Sequence, residues 1–347
     1  MSLLVPALAL LLALLVDRWF GEPPVRLHPV VWMGNYLGWA GARLQRGLRS
    51  AVPVVVGNTS LAAREEAADY KAFWLGALYW IGGVALFSVA AVWLEQSVWA
   101  VGRWVAVAVA GEAMADWLAA TVAAVLLAVL LKPMLAWAML QSEVLAVEGA
   151  LSQSLAAGRE RLSWLVSRDT STLSDAQVRE SAIESLAENL NDSVVAPIFW
   201  FVLLGLPGAV AYRFANTADA MWGYKGVYKG QNWEWAGKWA ARVDDVLNWL
   251  PARLTGLLLA LTCGVGWREL RREAIKTPSP NSGWPMAAMA LALNIHLAKP
   301  GVYVLNPGGE DALAGHTGQA IVYASKVLLA LIPVALLALY LRANILS

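Results

Sequence analysis

The sequence predicts an all-α, polytopic helical membrane protein with cytoplasmic helical insertions and a re-entrant segment. Hydrophobic residues make up 59% of the 347-residue chain and charged residues only 15%, whereas a soluble domain runs near half apolar and about a quarter charged. The apolar excess is gathered into blocks, as membrane spans require. Many of the 19 tryptophans stand at block edges (Trp19, Trp74, Trp93, Trp117, Trp200, Trp267), where an interfacial aromatic belt belongs. Lys+Arg (26) and Asp+Glu (25) nearly cancel, so no global basic field exists to recruit nucleic acid. Cys263 is the only cysteine, which excludes an intrachain disulfide framework, a thiolate zinc site and a dithiol redox pair.

Residues 1–16 read as a retained first span, roughly 24 Å long by helix rise. No basic residue precedes them, and Asp17 and Arg18 follow at once, unlike a signal peptide. The clearest later spans are 73–94, 117–131 and 321–341. Arg18, Arg26, Arg43, Arg46, Arg49, Arg64 and Lys71 crowd the first connection, while 95–116 holds only Arg103. The positive-inside rule then puts the first connection in the cytoplasm and the second outside. It also returns 132–193 to the cytoplasm as a helical insertion. The apolar block 194–212 poses a conflict, because a simple crossing would export the basic stretch 213–253. Pro197 and Gly205-Leu206-Pro207-Gly208 interrupt the same block and should break a helix there. A kinked or re-entrant hairpin resolves both observations, and it should border the active site. Segment 213–253 is then a second cytoplasmic, motif-bearing stretch within one membrane-embedded domain, 1–347. Residues 254–266 and 284–298 are short for spans, and 51–60 read as a surface loop.

The densest polar signal is 168–192, RDTSTLSDAQVRESAIESLAENLND. Ser174 and Gln177 form a capping box, so a helix should begin at Asp175. At about 100° per residue, Ile183, Leu186 and Leu190 share one face, and Glu180, Glu184, Glu188 and Asp192 climb the other. A solvated face is the plain alternative for such a column. Like charges at this spacing cost roughly 0.2–0.5 kcal/mol per pair, and Arg179 alone is near in sequence to offset them. A bound cation would explain the column, and the oxygen donors there, with Asn189 and Asn191, suit Mg²⁺. A second cluster is Asn216 and Asp219, followed by Lys225, and a third is Asp244, Asp245 and Asn248. Their plain alternatives are a helix cap at Asp219 and the charged edge of an interfacial helix ending at Pro251. Together the clusters predict one metal and phosphate site, with Glu184, Glu188, Asp192, Asp219, Asp244 and Asp245 as ligands. Arg168, Lys225, Arg242 and Arg253 are the cations for anionic oxygens, and Asp169, Asn189, Asn216 and Asn248 complete the polar set. His28, in a Pro/Gly-rich segment, is a base or ligand in one reading and structural in the other. His296 reads as a satisfied core histidine, and His316 says little. Walker A, GxGxxG and HExxH motifs are missing, so a nucleotide would be held outside a P-loop fold.

In order along the chain, these segments resemble the adenosylcobinamide-phosphate synthases, the CbiB or CobD family. The stretches that carry the resemblance are DRWFGEPPVRLHPVVWMG (17–34), RDTSTLSDAQVRESAIESLAENLNDSVVAPIFW (168–200), GLPGAVAYRFANTADAMWGYK (205–225), ARVDDVLNWLPARLTG (241–256) and SPNSGWPMAAMALAL (279–293). Residues 52–116 and 299–318 match poorly, and 230–237 departs from the family pattern. The resemblance implies ATP- and Mg²⁺-dependent amide formation between adenosylcobyric acid and aminopropanol phosphate or a related amino-alcohol phosphate, through an acyl phosphate. It implies an active site in Glu184, Glu188, Asp192, Asp244, Asp245 and His28, on the cytoplasmic side of a bacterial inner membrane. Other membrane-bound enzymes of the pathway and a second copy of the chain are the implied protein partners. Two rival readings are a Mg²⁺-dependent membrane prenyltransferase, which needs no ATP, and a non-catalytic sensor or transporter. The last would hold its carboxylates in separate spans at the bilayer midplane.

Overall fold

Long apolar runs leave the backbone no partner but itself, so they fold as helices. The computed structural model describes residues 4–49, 68–110 and 115–346. In chain order the helices are α1 (Leu4–Phe20), α2 (Pro29–Arg49), α3 (Tyr70–Ala110), α4 (Ala115–Leu131), α5 (Trp137–Leu151) and α6 (Leu155–Leu162). There follow α7 (Asp175–Leu190), α8 (Ala196–Trp222), α9 (Lys238–Leu247), α10 (Trp249–Cys263), α11 (Trp267–Ala274), α12 (Gly283–Leu293) and α13 (Ala314–Leu346). The strands form two antiparallel hairpins, β1 (Val227–Tyr228) with β2 (Gln231–Asn232) and β3 (Leu297–Lys299) with β4 (Tyr303–Leu305). Among the described residues, four helical segments are long and apolar enough to cross a membrane: Tyr70–Val109, Ala115–Leu151, Asp175–Trp222 and Ala314–Ile345. Helices α9 and α10, bent by 46°, make a fifth if counted as one span. The chain is an all-α, polytopic membrane protein.

Helix α3 corrects one sequence expectation. Residues 95–110, expected as an external connection, continue the helix to Ala110. Glu95 does not end the span. Its carboxylate turns inward and accepts the Leu206 N–H at 3.2 Å. The expected surface loop at 51–60 lies outside the described residues.

The segment 132–193 is built into the bundle, since α7 packs against α5, α12 and α13. The capping box forms as its sequence requires: Ser174 Oγ accepts the Gln177 N–H and Gln177 Oε1 accepts the Ser174 N–H. Helix α7 therefore starts at Asp175. It does not stop before α8. A π-helical turn, Asn191–Val195, joins the two.

Helix α8 breaks at Gly205, whose φ of 72° and ψ of −159° lie outside the helical region. A side chain is excluded there twice. The φ is left-handed, and a Cβ would lie 2.8 Å from a Glu95 carboxylate oxygen. Among the backbone groups that the break frees are the Leu206 N–H and the Val202 carbonyl, and charged side chains satisfy both. Glu95 takes the Leu206 N–H, and Arg342 of α13 donates to the Val202 carbonyl at 2.8 Å. The expected break in 194–212 is thus present, and two other spans supply its partners. It is a kink at Gly205 within the helical segment Asp175–Trp222, with no hairpin turn there.

Pro251, expected to end a helix, lies in the first turn of α10 instead. First-turn N–H groups have no acceptor within the helix, so proline costs nothing there.

Candidate functional site

Helix α7 brings Glu188 and the π turn brings Asp192 to a cavity of about 310 Å³. Helix α8 adds Asp219 and α9 adds Asp244 and Asp245. Three stretches separated in sequence thus line one space. Lys225 is the only Lys or Arg among its lining residues. Ser279 and Asn281, from the segment before α12, close another wall.

Amides fix the acids in place. Asn248 Oδ1 accepts from Asn191 Nδ2 at 2.7 Å and from the Tyr212 hydroxyl at 2.9 Å, while its Nδ2 donates to Asp244 Oδ2 at 3.0 Å. Asn191 Nδ2 also donates to Asp192 Oδ1 at 2.8 Å, and Asn216 Nδ2 to Asp192 Oδ2 at 3.3 Å. Arg213 donates to the Asp192 carbonyl at 3.1 Å and to Ser193 Oγ at 3.2 Å. Asn281 Nδ2 donates to the Asp245 carbonyl at 2.7 Å. Asp244 Oδ1 is buried with no hydrogen-bond partner among the described residues. Close carboxylate pairs of this kind repel by up to a few kcal/mol each at an effective dielectric of about 20. An orphaned carboxylate oxygen in an all-oxygen ring fits a hard divalent cation such as Mg²⁺.

A second cavity, of about 170 Å³, adjoins the first. Arg168, Lys299, Ser181, Ser185, Asn189, Glu184 and Glu188 line it. Arg168 donates to Ser181 Oγ at 2.5 Å and to Glu184 Oε2 at 2.8 Å. The Tyr303 hydroxyl donates to Glu184 Oε1. Arg168 Nε is buried without a partner among the described residues. Glu188 lines both cavities.

Half of the acidic column is therefore no solvated face, while Asp192 is half-buried and Glu188 is exposed, open to both cavities. Glu180 and Glu184 are buried; Glu184 pairs with Arg168 at the start of the same motif, and Glu180 faces His296, distant in sequence. Arg179, expected to offset the column, pairs with Glu148 at 3.0 Å instead. Of the remaining expected residues, Glu184, Arg168 and Asn189 belong to the second cavity, and Asn216 and Asn248 support the first. His28 lines neither. Its Nε2 lies 3.0 Å from Glu22, and Lys132, itself buried, bridges Glu22 at 2.8 Å and Asp17 at 3.3 Å. Burial would push the Glu22 carboxyl up, but the hydrogen bonds from His28 and Lys132 outweigh it and hold it below the usual range. Asp169 is exposed and turned to its own loop, where the Ser171 N–H holds its carboxyl low. Arg242 is exposed on α9. Arg253 stacks over Trp249 and meets the wall of the first cavity at Asn281 Oδ1, at 3.2 Å, and at the Pro280 carbonyl, at 3.4 Å. Lys299 and Tyr303 were not predicted as site residues, since they lie where the family resemblance fails. The only hint available was SPNSGWP, a matching stretch to which no role was attached, and it delivers Ser279 and Asn281.

A family-wide sequence profile described as CobD/Cbib protein matches residues 10–330. The chain belongs to the CobD/CbiB family. Curated members similar to it include the "Probable cobalamin biosynthesis protein CobD" of Methanothermobacter thermautotrophicus, 40% identical over 85% of this chain and 85% of the relative. The "Cobalamin biosynthesis protein CobD" of Dehalococcoides mccartyi is 35% identical over 88% and 87%. That of Chromobacterium violaceum is 40% identical over 84% and 81%. No solved structure matches. The match extends through β3 and β4, so Lys299 and Tyr303 fall inside the family's bounds.

Proposed function

We propose that this chain is an enzyme of cobalamin biosynthesis that joins the carboxylate of adenosylcobyric acid to aminopropanol phosphate or a related amino-alcohol phosphate. In that reaction carboxylate, ammonium and ATP become amide, ADP and phosphate, and the nitrogen gives up two of its three protons. The observation that carries the reading is Glu188, the shared wall of an acid-lined cavity and a mixed-charge one. The acid-lined cavity suits a metal-bound triphosphate. When bound there, Mg²⁺ supplies neutralisation of phosphate oxygens. Asp244, Asp245, Asp192 and Asp219 would hold the ion, and Lys225 would take a phosphate oxygen as a point charge. The second cavity suits a small zwitterion: Arg168 and Lys299 for its phosphate, Glu184 and Glu188 for its ammonium. Glu188 then stands where the amine must lose a proton and is the general base of this reading. An apolar groove of about 380 Å³, lined by Trp200, Val246, Trp249 and Leu250, shares Asp245 and Pro280 with the acidic cavity. It offers a resting place for an edge of the corrin. The site would face the cytoplasm of a bacterial inner membrane, the side that supplies ATP.

The test is turnover by purified, detergent-solubilised protein given adenosylcobyric acid, ATP, Mg²⁺ and aminopropanol phosphate. Adenosylcobinamide phosphate should form, and chelation of Mg²⁺ should stop it. Asp244→Asn should lower the rate about 100-fold or more while leaving the melting temperature equal or slightly higher, since it removes like-charge repulsion. Full activity of that variant, or a loss explained by unfolding, would defeat the reading. ATP-independent turnover of a prenyl diphosphate would favour the prenyltransferase instead.

A further inference from the structure

A separate cluster lies at the start of the α7 acidic column. Glu180 of α7, His296 just before β3 and Asp311 just after β4 each offer one donor atom, all within 4.8 Å of one another. His296 Nε2 is 3.2 Å from Glu180 Oε1 and 3.7 Å from Asp311 Oδ1. The backbone holds the two loop residues side by side. The His296 N–H donates to the Glu310 carbonyl at 3.1 Å, and the Glu310 N–H donates to the Asn294 carbonyl at 2.9 Å. The nearest acceptor to His296 Nδ1 is the Gly309 carbonyl, at 3.5 Å. With Nδ1 assigned as the donor to that carbonyl, the Nε2 lone pair faces two carboxylates.

Three facing lone pairs need a positive charge between them. A proton on Nε2 could serve Glu180 alone, because Asp311 lies beyond hydrogen-bond reach. A metal ion serves all three. Tetrahedral zinc, with bonds of about 2.0–2.1 Å, separates its donors by roughly 3.4 Å, between the two spacings observed. The backbone carbonyl behind Nδ1 is the usual second partner of a metal-bound imidazole. Glu180 closes the inner side of the cluster, and Asp311, 73% exposed at its side chain, leaves the outer side open for an ion to enter.

We infer that Glu180, His296 and Asp311 bind a divalent transition-metal ion of the zinc class, which pins the β3–β4 hairpin to α7. One imidazole nitrogen with two carboxylate oxygens favours such an ion over Mg²⁺, which prefers oxygen alone. The consequence reaches the second cavity, because β3 ends in Lys299 and β4 begins with Tyr303. The ion would set the position of both side chains without touching the acid-lined cavity.

The experiment is a calorimetric titration of chelator-stripped, detergent-solubilised full chain with Zn²⁺. With excess Mg²⁺ present to occupy the acid-lined cavity, wild type should bind one equivalent of Zn²⁺ and gain thermal stability. His296→Gln should lose both effects. Asp311→Asn, at an exposed position that should not disturb folding, should weaken binding by roughly tenfold or more. Asp244→Asn should bind Zn²⁺ as wild type does, which separates this site from the carboxylates of the proposed reaction. The inference is overturned if wild type binds no Zn²⁺, if Asp311→Asn binds it undiminished, or if Asp244→Asn alone abolishes binding.

Discussion

Glu273 lies in α11, outside the apolar segments, and is 2% exposed. It accepts from Lys276 Nζ at 2.5 Å and from the Asn306 N–H at 2.8 Å. Burial alone would raise its carboxyl, yet the Lys276 and Asn306 hydrogen bonds win and hold it below the ordinary glutamate range. The sign of the pH effect follows. As pH falls, the unfolded chain takes up this proton before the folded one does, so the pair's contribution is complete above the ordinary range and is lost through the folded pKa. Glu273→Gln should lower the unfolding free energy by on the order of 1 kcal/mol at neutral pH. Melting curves should show that deficit shrinking as pH approaches about 4, and a pH-independent deficit would rule the ion pair out as its cause. Single residues were legible from sequence only where neighbours along the chain decide their surroundings. The α7 carboxylates were found because their four-residue spacing is local. The partners of Arg179, Glu184 and Glu95 were not, because each comes from a helix or hairpin distant in sequence.

At the scale of elements, punctuation was the readable part. Ser174 and Gln177 start α7, and Gly205 with Pro207 breaks α8, all through local backbone chemistry. Less readable was how the break is made tolerable. A freed N–H and a freed C=O inside an apolar bundle each cost about 1–3 kcal/mol if left unpaired, and the repair comes from α3 and α13. Arg342→Ala should therefore destabilise the protein by about 1–3 kcal/mol although the residue lines neither cavity. Gly205→Ala should cost at least as much, from the left-handed φ and the crowding by Glu95. Thermal melts in detergent would measure both. A neutral Arg342→Ala would mean that the Val202 carbonyl finds another partner. Helix α3 was misjudged for the same reason: Glu95 reads as the end of a span until its acceptor role inside the bundle is seen.

At the scale of the whole molecule, apolar blocks and aromatic edges made the membrane class plain, while the route of the chain through the bilayer rests on charge bias. The loops carrying the acidic clusters should share the cytoplasmic side. A cysteine placed at Lys229, in a chain with Cys263→Ser, should resist a membrane-impermeant maleimide in intact cells and react after lysis. Labelling from outside would place the 213–253 loop across the membrane and dismantle the shared-side arrangement. The 48-residue helical segment Asp175–Trp222 crosses all these scales. Glu184 and Glu188 lie before its wide turn at Asn191–Val195, and Asn216 and Asp219 lie beyond it. The segment works like a camshaft, with the acidic side chains as lobes and that turn as the collar that times them. One residue lost at the collar would rotate the helix that follows, as far as the break at Gly205, by about 100° and carry Asn216 and Asp219 away with it. Point changes along the rod can be absorbed one at a time, but a change of length in the turn would mistime Asn216 and Asp219 together.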